Sequence, residues 1–177
     1  MTDSKYNYSK INAIKIIVKS DNGKILLIRE PETNEWMPGH WGLPGGKTLE
    51  KESLYEAFKR KVVGDLGVDF EPEGIVKIEE LLMDGKTVLM FHAVVNTKDE
   101  IDVGGEIAEF KWADRSEIEK MDLAEFTEYF NKSLILDYLS GNLQIVDFNL
   151  IKTHKFFEMG EDPDYKRWLK SGKKENE

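Results

Sequence analysis

The sequence predicts an α/β fold, a mixed β-sheet with helices on its faces. Three observations predict it. Strand-like and helix-like segments come in the order hairpin, helix, hairpin, strand, helix. A chain of 177 residues, 40% apolar and 33% charged, fits one soluble domain with a real core and at most a small appendage. No apolar run reaches the roughly 18 residues that would span a bilayer.

Residues 11–19, "INAIKIIVK", and 24–29, "KILLIR", are rich in β-branched and aliphatic side chains. Asn22-Gly23 between them is a hairpin signal, because both residue types tolerate positive φ. Residues 30–41 hold two prolines and a glycine and read as a loop. A glycine turn follows, then a helix over about residues 52–66. Leu54, Ala57, Phe58, Val62 and Leu66 lie near helical spacing and should pack on the sheet. Residues 75–83 and 86–95 form a second hairpin around "MDGK", and 109–114 another strand. Residues 114–121 and 123–141 read as helices. In the second, Phe126, Phe130, Leu134 and Tyr138 recur four apart, and Gly141 is a C-cap. Residues 143–151 suggest a strand, and 162–172 a short helix opened by Asp162 or Asp164.

Composition excludes several functions. With no cysteine there is no disulfide, thiolate metal site or cysteine nucleophile. The net charge of -9 argues against a nucleic-acid coat and requires a local positive patch or a metal for any anionic substrate. The N-terminus "MTDSKYNYSK" lacks the apolar core of a signal peptide, so a cytoplasmic protein with no membrane partner is expected.

The stretch "GGKTLEKESLYEAFKRKVVGDLGV" carries the chemistry. Pro44-Gly45-Gly46 makes a turn whose backbone can approach a ligand closely. Glu52 follows Gly46 by six positions, Arg60 follows Glu52 by eight, Val62 is aliphatic and Gly67-Val68 closes the helix. This pattern resembles the Nudix box, G-x5-E-x7-R-E-U-x-E-E-x-G-U with U aliphatic, over residues 46–68. Upstream "WGLPGGK", and Trp112 with the acids Glu106 and Glu109, resemble further family features, so the likeness runs over roughly residues 10–140. It implies a Nudix-type α/β/α sandwich over residues 1–141, with 142–177 as an extension packed on or beside it.

The resemblance also implies hydrolysis of a pyrophosphate bond in a nucleoside diphosphate derivative, with Mg²⁺ or Mn²⁺ held by box carboxylates. Those carboxylates sit at i, i+3 and i+4, on one helical face suited to a hard cation. In this chain the three positions are Lys61, Gly64 and Asp65. Sliding the register to Gly45 loses both Glu52 and Arg60, so the departure is real. Gly64 inside a helix costs about 0.5–1 kcal/mol relative to alanine. Its presence suits either relaxed selection at a lost metal site or space for a ligand.

What remains of the site implies these roles. Glu52 and Arg60 are the catalytic pair, or else an ion pair that positions the loop; Glu56 offers Arg60 another partner. Asp65, Glu106, Glu109 and the Gly45 carbonyl are the metal ligands. Arg29, Trp41, Gly46 and Lys61 are the substrate-binding residues. Trp36, His40, Glu79 and Glu80 are weaker candidates, and His92, Tyr129 and Phe130 read as structural. Two functions follow. One is a Mg²⁺-dependent hydrolase with a reduced ligand set. The other is an impaired module that binds a nucleotide or phosphorylated ligand through Lys61 without turnover. Isopentenyl diphosphate isomerase shares the fold by resemblance, but its chemistry uses a cysteine. Residues 142–177 are left to cap the cleft, bind a partner subunit in a homodimer, or lie on the surface.

Overall fold

The computed structural model describes residues 9–34, 37–83, 85–97, 101, 107–153 and 166–167. Eight strands form one mixed sheet: β1 Ser9–Ser20, β2 Ile25–Arg29, β3 Trp41–Gly42, β4 Gly45–Lys47, β5 Gly74–Met83, β6 Lys86–Thr97, β7 Glu109–Ala113 and β8 Val146–Asp147. Their order is β3-β2-β1-β6-β5-β8, with β4 on β1 and β7 on β2. β1 and β6 run parallel from Ser9↔Lys86 to Ser20↔Thr97, and the other pairs are antiparallel. The β1–β2 turn uses Gly23 at φ +80°, whereas Asn22 does not take the positive φ that the Asn-Gly signal allows it.

Alternation along β1 creates two buried faces. Ile14, Ile16 and Val18 lie on one, with Leu26 and Ile28 of β2. Helix α1, Leu54–Leu66, covers this face with Ala57, Phe58, Val62 and Leu66. Burying each of the three larger side chains is worth about 1.5–3 kcal/mol, so Phe58→Ala should cost about 3–5 kcal/mol. A capping box starts α1: Ser53 accepts from the Glu56 amide, and Glu56 accepts from the Ser53 amide at 2.8 Å. Gly67, left-handed at φ +67°, ends it. The other face carries Ile17, Ile25, Leu27 and Val94, covered by α2, Arg115–Lys120, and α3, Asn131–Leu139.

Three expectations need correction. Helix α1 begins at Leu54, because Glu52 is drawn away to Arg60 and to the Leu49 amide. Residues 123–141 are not one helix. A 3-10 turn at Leu123–Glu125 ends at Phe126, and α3 starts at Asn131. Between them the Thr127 amide donates to the Trp41 carbonyl at 2.8 Å, and Phe126 is 1% exposed in the core. Residues 143–151 supply only the two-residue β8 and a 3-10 turn, whose Phe148 packs on Phe58 and Tyr55. The expected helix at 162–172 lies outside the described residues except for 166–167, which are helical. Among the described residues no helix is long and apolar enough to cross a membrane.

Candidate active site

The glycine turn seats β4 against β1, pairing Gly45 with Lys15 and Gly46 with Ile14. Gly45 sits at φ +141°, and a Cβ there would lie 2.1 Å from the Ile14 carbonyl oxygen. No other residue allows this approach. A Cβ on Gly46 would lie 2.9 Å from Cε of Lys61. The bare backbone of Gly46 is therefore what lets the Lys61 chain cross from α1 over the turn.

Lys61 ends beside Asp65, with Nζ 3.5 Å from Oδ2 and the two side chains 19% and 12% exposed. Around Gly64, between them on the helix, a Cβ would meet nothing within 4 Å. The described residues thus hold no packing reason for that glycine.

Glu52 and Arg60 form a two-pronged clamp. Arg60 Nε donates to Glu52 Oε1 at 2.6 Å, and its Nη2 donates to Oε2 at 2.8 Å and to the Lys47 carbonyl at 3.1 Å. The Leu49 amide also donates to Glu52, at 2.7 Å. The Arg60 guanidinium holds the Glu52 carboxyl below its usual range. The clamp ties the loop after the glycine turn to α1.

Gly45, Gly46, Lys61 and Asp65 converge on one cleft of about 640 Å³. Glu52 and Arg60 stand behind it, outside its lining. Arg29, Trp41 and Glu109 are also outside the lining and form a group of their own. Arg29 donates to the Gly39 carbonyl at 2.9 Å and to Glu109 at 3.3 Å, and Lys111 Nζ lies 4.2 Å from the Trp41 ring centroid. His40 Nδ1 donates to the Pro38 carbonyl, 2.8 Å away. Trp36 and Glu106 lie outside the described residues.

Sequence reasoning missed two residues of the cleft, Lys15 and Glu128. Their side chains are 10% and 6% exposed, with Nζ and Oε1 3.4 Å apart. Burial opposes ionisation of Glu128. Lys15, Thr127 and Asn131 more than offset it and leave the carboxyl below its usual range. The signal for Lys15 was present: a charge inside an apolar strand, two residues from Ile17 on an inward face. Nothing local marked Glu128. Deeper on the same face, buried His92 meets Glu79 at 2.9 Å and packs edge-on against Phe130. Burial pushes the His92 pKa down to about 4, so the ring is neutral.

Among the described residues the donor set does not fit a divalent cation. Mg²⁺ and Mn²⁺ want several hard oxygens. The described part of the cleft offers the Gly45 carbonyl, Glu30, Asp65 and Glu128, but Lys61 faces Asp65 and Lys15 faces Glu128. Among the described residues no group of three acidic or histidine side chains is placed to hold a metal. Among the described residues the cleft is lined by four lysines, Lys15, Lys47, Lys61 and Lys86, against three acids, Glu30, Asp65 and Glu128.

A family model described as NUDIX domain matches residues 10–134. The fold is similar to that of the MutT protein from Methanosarcina mazei Go1, at 23% identity and TM-score 0.65, covering 76% of this chain and 96% of that one. It is also similar to a NUDIX hydrolase from Nitrosomonas europaea, at 21% identity and TM-score 0.66, covering 83% and 99%. A third likeness is to the NUDIX domain of Shewanella oneidensis NrtR, crystallised with ADP ribose, at 19% identity and TM-score 0.57, covering 76% and 88%. No curated protein sequence matches the chain.

Proposed function

Because the chain belongs to the Nudix family, we propose that it binds a nucleotide or another diphosphate-bearing ligand in this cleft through Lys61, without metal-dependent hydrolysis. One observation carries the reading. A lysine, in place of a carboxylate, lies across the glycine turn with its ammonium in the cleft. It brings a fixed positive charge to the end of the cleft where the family's chemistry needs a metal. A bound phosphate would compete with Asp65 for Lys61, at a contact of 3.5 Å that is long for a charge-assisted hydrogen bond. Among the described residues the cleft lining has one more lysine than acids, in a chain whose net charge is -9.

Lysine can neutralise a diphosphate but cannot acidify a water as a divalent cation does. Binding without turnover is the consequence. Glu52 and Arg60 then act as positioning residues, holding the turn on which Lys61 rests. The hydrolase reading needs a metal shared by Asp65, the Gly45 carbonyl and Glu106 or Glu109.

Calorimetry separates the two. In EDTA the protein should bind a nucleoside diphosphate, and Lys61→Ala should weaken it by about 10- to 150-fold, the loss of one charged hydrogen bond of about 1.5–3 kcal/mol. Turnover of a nucleotide panel by the wild-type protein in Mg²⁺ or Mn²⁺ would reject the reading. Binding that vanishes in EDTA would do the same.

A further inference from the structure

Lys15 and Glu128 line the same cleft as Lys61. Lys15 shares its face of β1 with Ala13 and Ile17, opposite the face that α1 covers. Residues of both faces therefore line the cleft. Lys61 and Asp65 line it from α1. Lys15, Val88 and Met90 line it from the opposite face of β1 and β6, with Leu81 and Glu128.

The hydrogen bonding of the pair is uneven. Glu128 Oε2 accepts from Asn131 Nδ2 at 2.7 Å and from Thr127 Oγ1 at 2.5 Å. Oε1 has only the Lys15 contact at 3.4 Å among the described residues. Lys15 Nζ, with three donors, has that contact and the Leu43 carbonyl at 3.5 Å. Both distances exceed the roughly 2.7–2.9 Å of a charge-assisted hydrogen bond. Burying two charges is costly, and a stretched contact repays little of it. One carboxylate oxygen and at least one ammonium N–H are left side by side with spare capacity, against an apolar wall.

We infer that the Lys15–Glu128 pair reads the edge of a nucleobase. Lys15 donates to a ring nitrogen or carbonyl oxygen, Glu128 Oε1 accepts from the adjacent N–H, and Leu81, Val88 and Met90 cover the ring. This rests on the reading above, which sets the phosphates at Lys61. The Watson–Crick edge of every common base offers an acceptor beside an N–H donor. Bare pyrophosphate and prenyl diphosphates offer neither, and a site whose buried polar groups are left unpaired rejects such ligands. The pair therefore selects nucleotides over other diphosphates, without itself choosing one base.

The test is calorimetry on the full chain in EDTA. The probes are ADP, UDP, N6,N6-dimethyl-ADP, 3-methyl-UDP, inorganic pyrophosphate and dimethylallyl diphosphate. ADP or UDP should bind at least about tenfold tighter than pyrophosphate, and methylation of its edge should erase that gain. The Lys15→Met, Glu128→Gln double variant is the second arm. Glutamine keeps an acceptor for Thr127 and Asn131 but turns an N–H toward the cleft. This variant should bind pyrophosphate as the wild type does and lose the preference for the unmethylated nucleotide. If it does not fold, the methylated ligands on the wild-type protein still decide. Equal affinity for parent and methylated nucleotides overturns the inference, and so does a prenyl diphosphate that binds as tightly as ADP and UDP. Adenosine and uridine, tested on Lys61→Ala, separate the two readings. If pyrophosphate fails to bind the wild type while these nucleosides still outbind their methylated forms, only the phosphate reading falls. If pyrophosphate binds through Lys61 and ADP and UDP bind no tighter than pyrophosphate or than their methylated forms, only the base reading falls.

Discussion

Gly64→Ala should stabilise the protein. Gly64 is exposed near the end of α1, three residues before the Gly67 cap, and a Cβ there meets nothing within 4 Å. The gain is the helix propensity of alanine over glycine, about 0.5–1 kcal/mol. For a chain of this length that corresponds to a rise in Tm of about 1–4 °C. Urea unfolding should show a higher midpoint with an unchanged slope, because no buried surface changes. Gly64 is outside the cleft lining, so ligand affinity should not move. Gly45→Ala is the opposing control. Its Cβ would collide with the Ile14 carbonyl at 2.1 Å, and its φ of +141° suits only glycine, so the fold should lose at least about 1–3 kcal/mol. A destabilised Gly64→Ala, or one with altered ligand affinity, would refute the argument that this glycine serves neither packing nor binding.

Other outcomes follow from the same contacts. Lys15→Met alone strands Glu128 and should cost about 3–5 kcal/mol, whereas the Lys15→Met, Glu128→Met pair should cost far less, a coupling that a double-mutant cycle measures. Glu52→Gln should cost about 1–3 kcal/mol by urea unfolding. Because the folded-state pKa of Glu52 is depressed, its stabilisation is complete above the ordinary carboxylate range and is lost as pH falls through the lower folded value. The stability difference between wild type and Glu52→Gln should shrink in that acid window. His92 is also depressed, to about 4, but it is the neutral form that the fold keeps. Its contribution is complete above the unfolded value of about 6.5 and is lost as pH falls from there to about 4, by up to about 3 kcal/mol. His92→Gln should flatten that part of the pH–stability curve.

The fold was legible in the sequence wherever local and long-range signals agree. Gly23 in the first turn, the apolar spacing of α1, and the run of strand patterns each match the sheet they enter. The stretch from Phe126 to Phe130 was not legible, because its four-residue spacing matches a helix that tertiary contacts break. The Trp41 carbonyl captures the Thr127 amide, and Phe126 is drawn into the core. That break is also what carries Glu128 to Lys15, so a contact 113 positions apart in sequence depends on a non-helical turn. At the glycine turn, the sequence showed that Lys61 replaces a carboxylate. It did not show that Lys61 lies over Gly46, which depends on how closely α1 and β4 approach.

Lys61 tests the account most directly. Titration of a nucleoside diphosphate into wild-type protein and Lys61→Ala, each with Mg²⁺ and with EDTA, separates a fixed cation from a bound one. The account predicts wild-type affinity that is the same in both buffers and falls at least about tenfold on Lys61→Ala. Affinity that needs Mg²⁺ and survives Lys61→Ala would contradict it.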